Sequence, residues 1–420
     1  MSWEPKSTTS VVGAHNKTAH AQKYLSMSPS VESTIGFSRR FLNLIMSSSC
    51  ISGVKSLYCF DLMYQELFYP STPPPPTRFN KLTVNLMDSV GLPLSSFDLR
   101  ASAAGDQCKI DCFPLAGSEV VCADQSGRAF RFDADRRRAG TMPGLHKPKS
   151  MPLALFVPNP RADDDLDHVG YGSSLFVMER FPRPEAGFSG AEAEHGSDQF
   201  EAFVYRNTRM STYVKAWHCQ QLPPPPFVRE PKHWHSCSSS RSRPEISSYA
   251  VLGGGSHICL SVNGVGTYCL DTARHTWSEA GEWTLPFHGR AEYVPELKLW
   301  FGLSADTHHL AAADLSSMDC RPQLVVGPWK EHRMPEEWKE SQDPQLVSLG
   351  SGRFCVARFF RTGANNGDFG DEPIAVFTGV EVVPPVCHVC GATNGRVQLR
   401  MIPHMSKCLT SNGSTIDEVF

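Results

Sequence analysis

Between Ile246 and Ala305 the chain alternates short β-prone runs with glycine-rich turns. Ser247 to Leu252 reads as a strand, Gly253-Gly254-Gly255 as a turn and His257 to Val262 as a second strand. Asn263-Gly264-Val265-Gly266 makes the next turn, a third strand ends at Tyr268-Cys269-Leu270-Asp271, and a fourth lies around His275-Thr276-Trp277. Runs of this length, separated by turns that want a positive φ, specify an antiparallel meander. Four such strands ending on a Trp make one blade of a β-propeller.

The unit recurs. An aromatic, any residue, an apolar residue and then Asp close a strand at Tyr58 to Asp61, Phe130 to Asp133 and Tyr268 to Asp271, with a weaker copy at Ala311 to Asp314. Asp133 and Asp271 are three steps of about 46 residues apart, a blade-sized period. One such step beyond Asp133 falls on Phe176-Val177-Met178-Glu179, a degenerate copy. Alternation along the motif buries one face between blades. The Asp can accept backbone N–H bonds in the following turn, and that role is preferred here to ligand binding. The structural repeat positions are thus Tyr58, Asp61, Phe130, Asp133, Tyr268, Asp271, Trp277 and Asp314. The expected fold is all-β, a kelch-like propeller of about six four-stranded blades over residues 37–420, behind a disordered N-terminal segment at 1–36.

Composition agrees and narrows the function classes. Gly and Pro number 32 each and fall between the strand candidates, as turns require. A net charge of −3 gives no electrostatic case for nucleic acid or an anionic membrane. No apolar run approaches the roughly 20 residues that span a bilayer. Of the 14 cysteines, Cys59, Cys122, Cys259, Cys269 and Cys355 fall inside strand candidates, where a free thiol acts as a small apolar residue. With no apolar secretory core at the N-terminus, unpaired thiols and an intracellular site, cytoplasmic or nuclear, are expected; organellar import by residues 1–36 is the alternative.

Between the repeats lie segments with other readings. Phe37 to Met46 is apolar and basic, a first strand or a short packed helix. The tetraprolines at 73–76 and 223–226 read as stiff inter-blade connectors, although polyproline can also be docked by aromatic grooves. Asp163-Asp164-Asp165 and Asp167 read as an exposed acidic loop that lacks the spacing of a calcium loop. His233 and His235 form a His-x-His pair without further ligands at a recognised spacing. Pro335 to Glu340 reads as one helical turn, Val397 to Ile402 as the outermost strand, and Asn412 to Phe420 as a polar end.

One spacing resembles a metal site. Cys387-His388-Val389-Cys390 is followed by His404 and Cys408, and zinc takes four N/S ligands of which a Cys-x-x-Cys knuckle supplies two. A hairpin of Val380 to Val383 with Arg396 to Met401, turned at Asn394-Gly395, explains the same segment without metal and is the preferred reading. The chain carries no Gly-x-Ser-x-Gly elbow, no Walker loop and no His-Glu-x-x-His.

Seven strings carry a family resemblance: Arg39 to Ile45, Cys122 to Phe130, Phe200 to Tyr205, Leu222 to Val228, Trp283 to Gly289, Tyr293 to Phe301 and Leu349 to Cys355. Together they resemble a large cereal family of plants, the domain of unknown function 1668, over about residues 38 to 420. The resemblance implies a kelch-like, galactose-oxidase-type propeller with no established activity, and supplies no catalytic residues. Plant kelch propellers often accompany an F-box, and no F-box-like helical segment is evident here.

The reading that follows is a non-enzymatic propeller without cofactor, acting through unknown protein partners on its loop faces. Two alternatives stand beside it. A galactose-oxidase-like enzyme would need a redox metal held by Tyr and His. A zinc-binding regulator would use the C-terminal Cys/His residues.

Overall fold

All six residues of Glu119–Asp124 and all six of Leu299–Ser304 are buried. A strand with both faces buried must sit in a sheet packed between two neighbours. Repeated along the chain, this requirement produces a ring of sheets. A computed structural model of the protein describes residues 39–51, 53–69, 88–101, 109–159, 172–185, 196–208, 211–234, 243–329, 334–362, 373–384, 399–410 and 413–420.

The described strands fall into antiparallel four-strand units. The chain opens with β1 (Phe41–Ser47), β2 (Val54–Asp61), a two-residue β3 (Asp88–Ser89) and β4 (Phe97–Arg100). Three units then follow in simple sequence. The first holds β5 (Ile110–Pro114), β6 (Glu119–Asp124), β7 (Ala129–Asp133) and β8 (Arg138–Thr141). The second holds β9 (Pro152–Val157), β10 (Ser174–Glu179), β11 (Ser197–Thr208) and β12 (Ser211–Leu222). The third holds β13 (Ile246–Leu252), β14 (His257–Val262), β15 (Gly266–Asp271) and β16 (Trp277–Gly281).

The next unit is β17 (Phe287–Val294), β18 (Leu299–Ser304), β19 (Leu310–Ala313) and β20 (Leu324–Trp329). Its first strand runs parallel to β13, with Ser248, Tyr249 and Ala250 opposite Gly289, Arg290 and Ala291. Then come β21 (Trp338–Gly350), β22 (Arg353–Thr362), β23 (Pro373–Val383) and β24 (Arg400–Thr410), with β3 added along the outer edge of β24. Finally β25 (Thr415–Val419) pairs with β1, giving a sheet in the order β25-β1-β2-β4.

Apolar clusters between successive units close the circle. Phe113 and Val121 meet Leu175 and Phe203, and Phe176 and Phe200 meet Ile258 and Tyr268. Ala250 and Cys259 meet Phe287 and Trp300, and Phe301 and Leu303 meet Phe354 and Val356. Phe359 and Phe377 of the β21–β24 unit meet Leu42 and Phe60, and Ile45 and Leu57 meet Val120 and Phe132. Neighbours along one strand thus serve opposite interfaces: Trp300 faces back to β13, Phe301 forward to β22. Indole N–H groups add directional ties, Trp277 Nε1 to the Pro223 carbonyl (2.8 Å) and Trp300 Nε1 to the Val251 carbonyl (3.0 Å). This architecture is a β-propeller.

The turn chemistry is visible at the repeat positions. Asp61 Oδ1 accepts the Met63 N–H at 3.0 Å, Asp133 Oδ1 that of Arg136 at 2.9 Å, and Asp314 Oδ1 that of Ser316 at 2.9 Å. Asp271 Oδ1 accepts two N–H groups, from Ala273 (2.9 Å) and Arg274 (2.8 Å). These motifs lie on β2, β7 and β15 and at the end of β19, each the third strand of its four-strand unit. Gly254 (φ 64°) and Gly264 (φ 71°) take the left-handed conformation that the two central turns demand.

Several expectations are corrected. The degenerate copy at Phe176 to Glu179 ends β10, a second strand, because the connections between β8 and β9 and between β9 and β10 take up much of the step from Asp133. Of the two readings of Phe37 to Met46, the strand is the one found, as β1 over Phe41–Ser47. Pro335 opens a turn, closed by Trp338 N–H to the Pro335 carbonyl at 3.1 Å, and Trp338 starts β21 at once. The polar end contains β25, and of the stretch Val397 to Ile402 the residues from Arg400 onward begin the eleven-residue β24. Cys259 and Cys269, expected as free thiols, are disulfide-bonded, since β14 and β15 place them directly opposite each other. Residues 1–36, the tetraproline at 73–76 and the acidic stretch at 163–167 lie outside the described residues.

The β25–β1 seam leads to a first prediction. Ile416 is buried in the cluster that joins the first sheet to the β21–β24 unit. Ile416→Ala is expected to destabilise the protein by about 2–5 kcal/mol, read from the midpoint of urea unfolding. A midpoint equal to wild type would show that the seam carries none of the stability.

Candidate functional site: the central channel

Propeller closure leaves the first strand of each unit facing the axis. Here β25, β5, β9, β13, β17 and β21 surround a channel of about 860 Å³. Its wall is polar because a first strand has one neighbour only and turns side chains to water. Opposite charges are matched across and along it. Lys55 meets Asp417 at 3.0 Å, and Ser47 Oγ donates to the same carboxylate at 2.5 Å. Lys109 meets Asp111 at 3.0 Å and also donates to the carbonyls of Lys149 (3.0 Å) and Ser150 (2.7 Å). Arg180 lies 2.9 Å from Glu245 and 3.5 Å from Asp343, while His288 Nε2 is 3.1 Å from Asp343. Arg290 reaches Glu292 at 3.3 Å.

Enclosure shifts several of these groups. Burial pushes the Glu418 carboxyl up to about 7, against the pull of the Arg290 and Lys55 charges. Burial and then the Glu418 charge push the Tyr249 hydroxyl up to about 12. Burial also raises Asp111, which Lys109 only partly offsets, and lowers Arg39. The channel therefore holds a carboxyl that changes charge near neutral pH beside groups that do not.

The sequence reading gave no functional role to any channel residue. Tyr249 lies inside a strand it identified, but Asp417 and Glu418 fall in a segment read as a polar end. Among residue types an oxidase would use, Tyr249, Tyr293 and His288 lie on the wall. The Tyr293 ring packs on Trp300 (4.5 Å between centroids), and His288 stacks on His308 (4.5 Å).

The proposed zinc residues have separate surroundings. His404 on β24 is buried; its Nδ1 accepts the Tyr69 N–H at 3.0 Å, and its Nε2 lies 3.2 Å from Glu381 Oε2. Both ring nitrogens are thus engaged in protein hydrogen bonds, and burial lowers the His404 pKa. Cys408 packs with Trp338, Phe360, Ile374 and Val376, and burial raises its thiol. Cys387, Cys390 and Asn394-Gly395 lie outside the described residues, as does His235 of the His-x-His pair; His233 pairs with Glu230 at 3.2 Å. The 223–226 tetraproline connects β12 to β13. Pro225 takes polyproline angles (φ −56°, ψ 147°), and Pro224 and Pro225 are buried, so this run acts as a packed strut.

Glu418 sets a pH signature. An unfolded Glu ionises near its ordinary value of 4.5 and the folded one near 7, so between these the native state holds the extra proton. Stability from this group therefore falls as pH rises through that window. Glu418→Gln is expected to gain stability relative to wild type between about pH 5 and about pH 8, in paired urea titrations. A wild-type-to-variant difference that does not change with pH would contradict the raised carboxyl.

Comparison with solved structures returns matches of low similarity. A nidogen/laminin complex structure matches at 10% identity with a TM-score of 0.34, covering 80% of this chain and 88% of that one. The β-propeller domain of Cps50 (Swd1) from Myceliophteria thermophila matches at 9% identity and TM-score 0.33, covering 81% and 96%. BamB from Moraxella catarrhalis matches at 10% and 0.27, covering 68% and 85%. The propeller assignment rests on the chain's own strand order and closure. A search of curated proteins gave no match. A family model described as a protein of unknown function, DUF1668, matches residues 39–409, from the start of the first sheet almost to the end of β24, and the chain belongs to that family.

Proposed function

We propose that the protein is a non-enzymatic interaction module that takes a polypeptide segment of a partner at its channel. The observation that carries this reading is the combination on the channel wall. Charges there are already matched to one another, as in the Lys55–Asp417 and Arg290–Glu292 pairs. Beside them stand two exposed large apolar side chains, Met151 (51% exposed) and Tyr293 (43% exposed). Met and Tyr are residue types enriched at protein interfaces, where an apolar anchor does most of the binding and matched charges set orientation. We read the four-strand units as six blades of a kelch-like propeller, in one domain over residues 37–420. In this reading the partner is a protein, with neither nucleic acid nor membrane engaged. The helices described are all far too short to cross a membrane.

The test is selection from a displayed peptide library on the full-length protein, with each enriched peptide re-measured on Met151→Asp and Tyr293→Asp. Peptides that bind wild type and weaken by about tenfold or more on one of these variants are expected, the loss of about 1.4 kcal/mol or more that an anchor residue carries. Enriched peptides indifferent to both changes, or no enrichment at all, would overturn the channel as the interaction site. Stoichiometric copper in the purified protein would overturn the non-enzymatic reading in favour of oxidase chemistry.

A further inference from the structure

We infer that His146, Glu201 and Cys219 form a binding site for a divalent cation of the zinc class, outside the channel on the β9–β12 unit. Glu201 lies on β11 and Cys219 on β12. Cys219 is directly opposite Phe203, so Glu201, two residues away, is its diagonal neighbour on the same face. His146 arrives from a different unit, on the connection between β8 and β9. That connection is pinned to the same carboxylate: the His146 N–H donates to Glu201 Oε2 (2.8 Å) and the Lys147 N–H to Oε1 (3.3 Å).

The three donor atoms converge. His146 Nδ1 lies 2.7 Å from Glu201 Oε2, Cys219 Sγ lies 3.3 Å from Oε2, and Sγ and Nδ1 are 3.8 Å apart. Among the described residues this is the one group of three His, Cys, Asp or Glu whose ligand atoms all lie within 4.8 Å of one another. A tetrahedral zinc, with bonds of about 2.0–2.3 Å, holds neighbouring N, O and S ligands about 3.4–3.6 Å apart. The two edges that include sulfur, 3.3 and 3.8 Å, lie on either side of that range and need only small shifts, while the nitrogen–oxygen edge must open by about 0.7 Å.

The surroundings fix the donors. Lys149 is buried, hydrogen-bonds Glu201 Oε1 and donates to the Lys147 carbonyl at 2.7 Å. One carboxylate oxygen is thus held by the ammonium while the other faces the histidine and the cysteine, the outer-shell orientation that metal sites use. The His146 side chain is 46% exposed, so solvent reaches the fourth position. Three protein ligands and a water is the arrangement of an open zinc site. When the cation binds, the Cys219 thiol proton leaves to solvent, and the imidazole keeps its proton on Nε2 while Nδ1 offers its lone pair.

The test uses the full chain, stripped with a chelator and titrated with Co²⁺, then with Zn²⁺ in competition. One equivalent of Co²⁺ is expected to give a thiolate-to-cobalt charge-transfer band and tetrahedral d–d bands, both displaced by Zn²⁺. Cys219→Ser should abolish the charge-transfer band. His146→Ala, a change at a half-exposed loop position that leaves the sheets intact, should weaken binding by about tenfold or more, since a lost ligand costs no less than a lost outer-shell partner. The Cys387→Ser/Cys390→Ser double variant should bind as wild type does. A wild-type protein without the band, a band unchanged in both Cys219→Ser and His146→Ala, or a band lost only in the Cys387/Cys390 variant would each overturn the site. Should Cys219→Ser fail to fold by thermal melt, the His146→Ala affinity decides alone.

Discussion

The structure depends on one seam. β25 is the last strand of the chain and the innermost strand of the first sheet, paired to β1 through Leu44–Val419 and Ser47–Thr415. Beyond its end, Asn43 and Phe420 exchange N–H···O bonds of 2.8 and 3.0 Å. A ring of sheets has no edge between units only if its two ends meet, and otherwise two apolar faces are left open to water. The residues at the seam show both halves of this requirement. Ile416 and Val419 pack toward the β21–β24 unit, and Phe420 joins Ile45 and Leu57 against β5 and β6. The same short strand carries Asp417 and Glu418 into the channel, so closing the fold and building its polar axis are one event.

Much of the ring was legible in the sequence. The units with short, glycine-marked turns gave their strands up readily, as from β13 to β15, because turn chemistry and alternation point to the same boundaries. The Asp-ended motif was legible for the same reason: a carboxylate that accepts N–H groups two and three residues on is a local interaction, written in neighbouring positions. The period failed where a unit lengthened. The connections from β8 to β9 and from β9 to β10 span residues 142–151 and 158–173, and a fixed step from Asp133 through them lands on a second strand.

The channel was not legible, for a different physical reason. Its residues come from first strands of separate units, so no local pattern joins Tyr249, Arg290 and Glu418. Strand β25 was hidden by composition as well. Thr415-Ile416-Asp417-Glu418-Val419 carries two acids, and acids are depleted in strands that face a core. They are tolerated here because the axis is polar and Lys55 and Arg290 stand near them. The disulfide escaped for a related reason. Cys259 and Cys269 look like any small apolar strand residues until the register sets them face to face.

Spacing and convergence also part company over metal. The C-terminal Cys/His run has a regular spacing along the chain, yet His404 spends both nitrogens on Tyr69 and Glu381, and Cys408 sits among aromatic and aliphatic side chains. His146, Glu201 and Cys219 have no spacing that sequence rules would notice, since they lie on a connection and two strands. Their meeting follows from the fold alone. A buried carboxylate on β11 must find donors, and the nearest are the backbone and side chains of the connection crossing from the preceding unit. Glu201 therefore fastens one unit to the next, with Lys149 neutralising it and Cys219 filling the remaining side. A demand for satisfied polarity at an inter-unit contact has brought three cation-ligand types together, independent of any repeat.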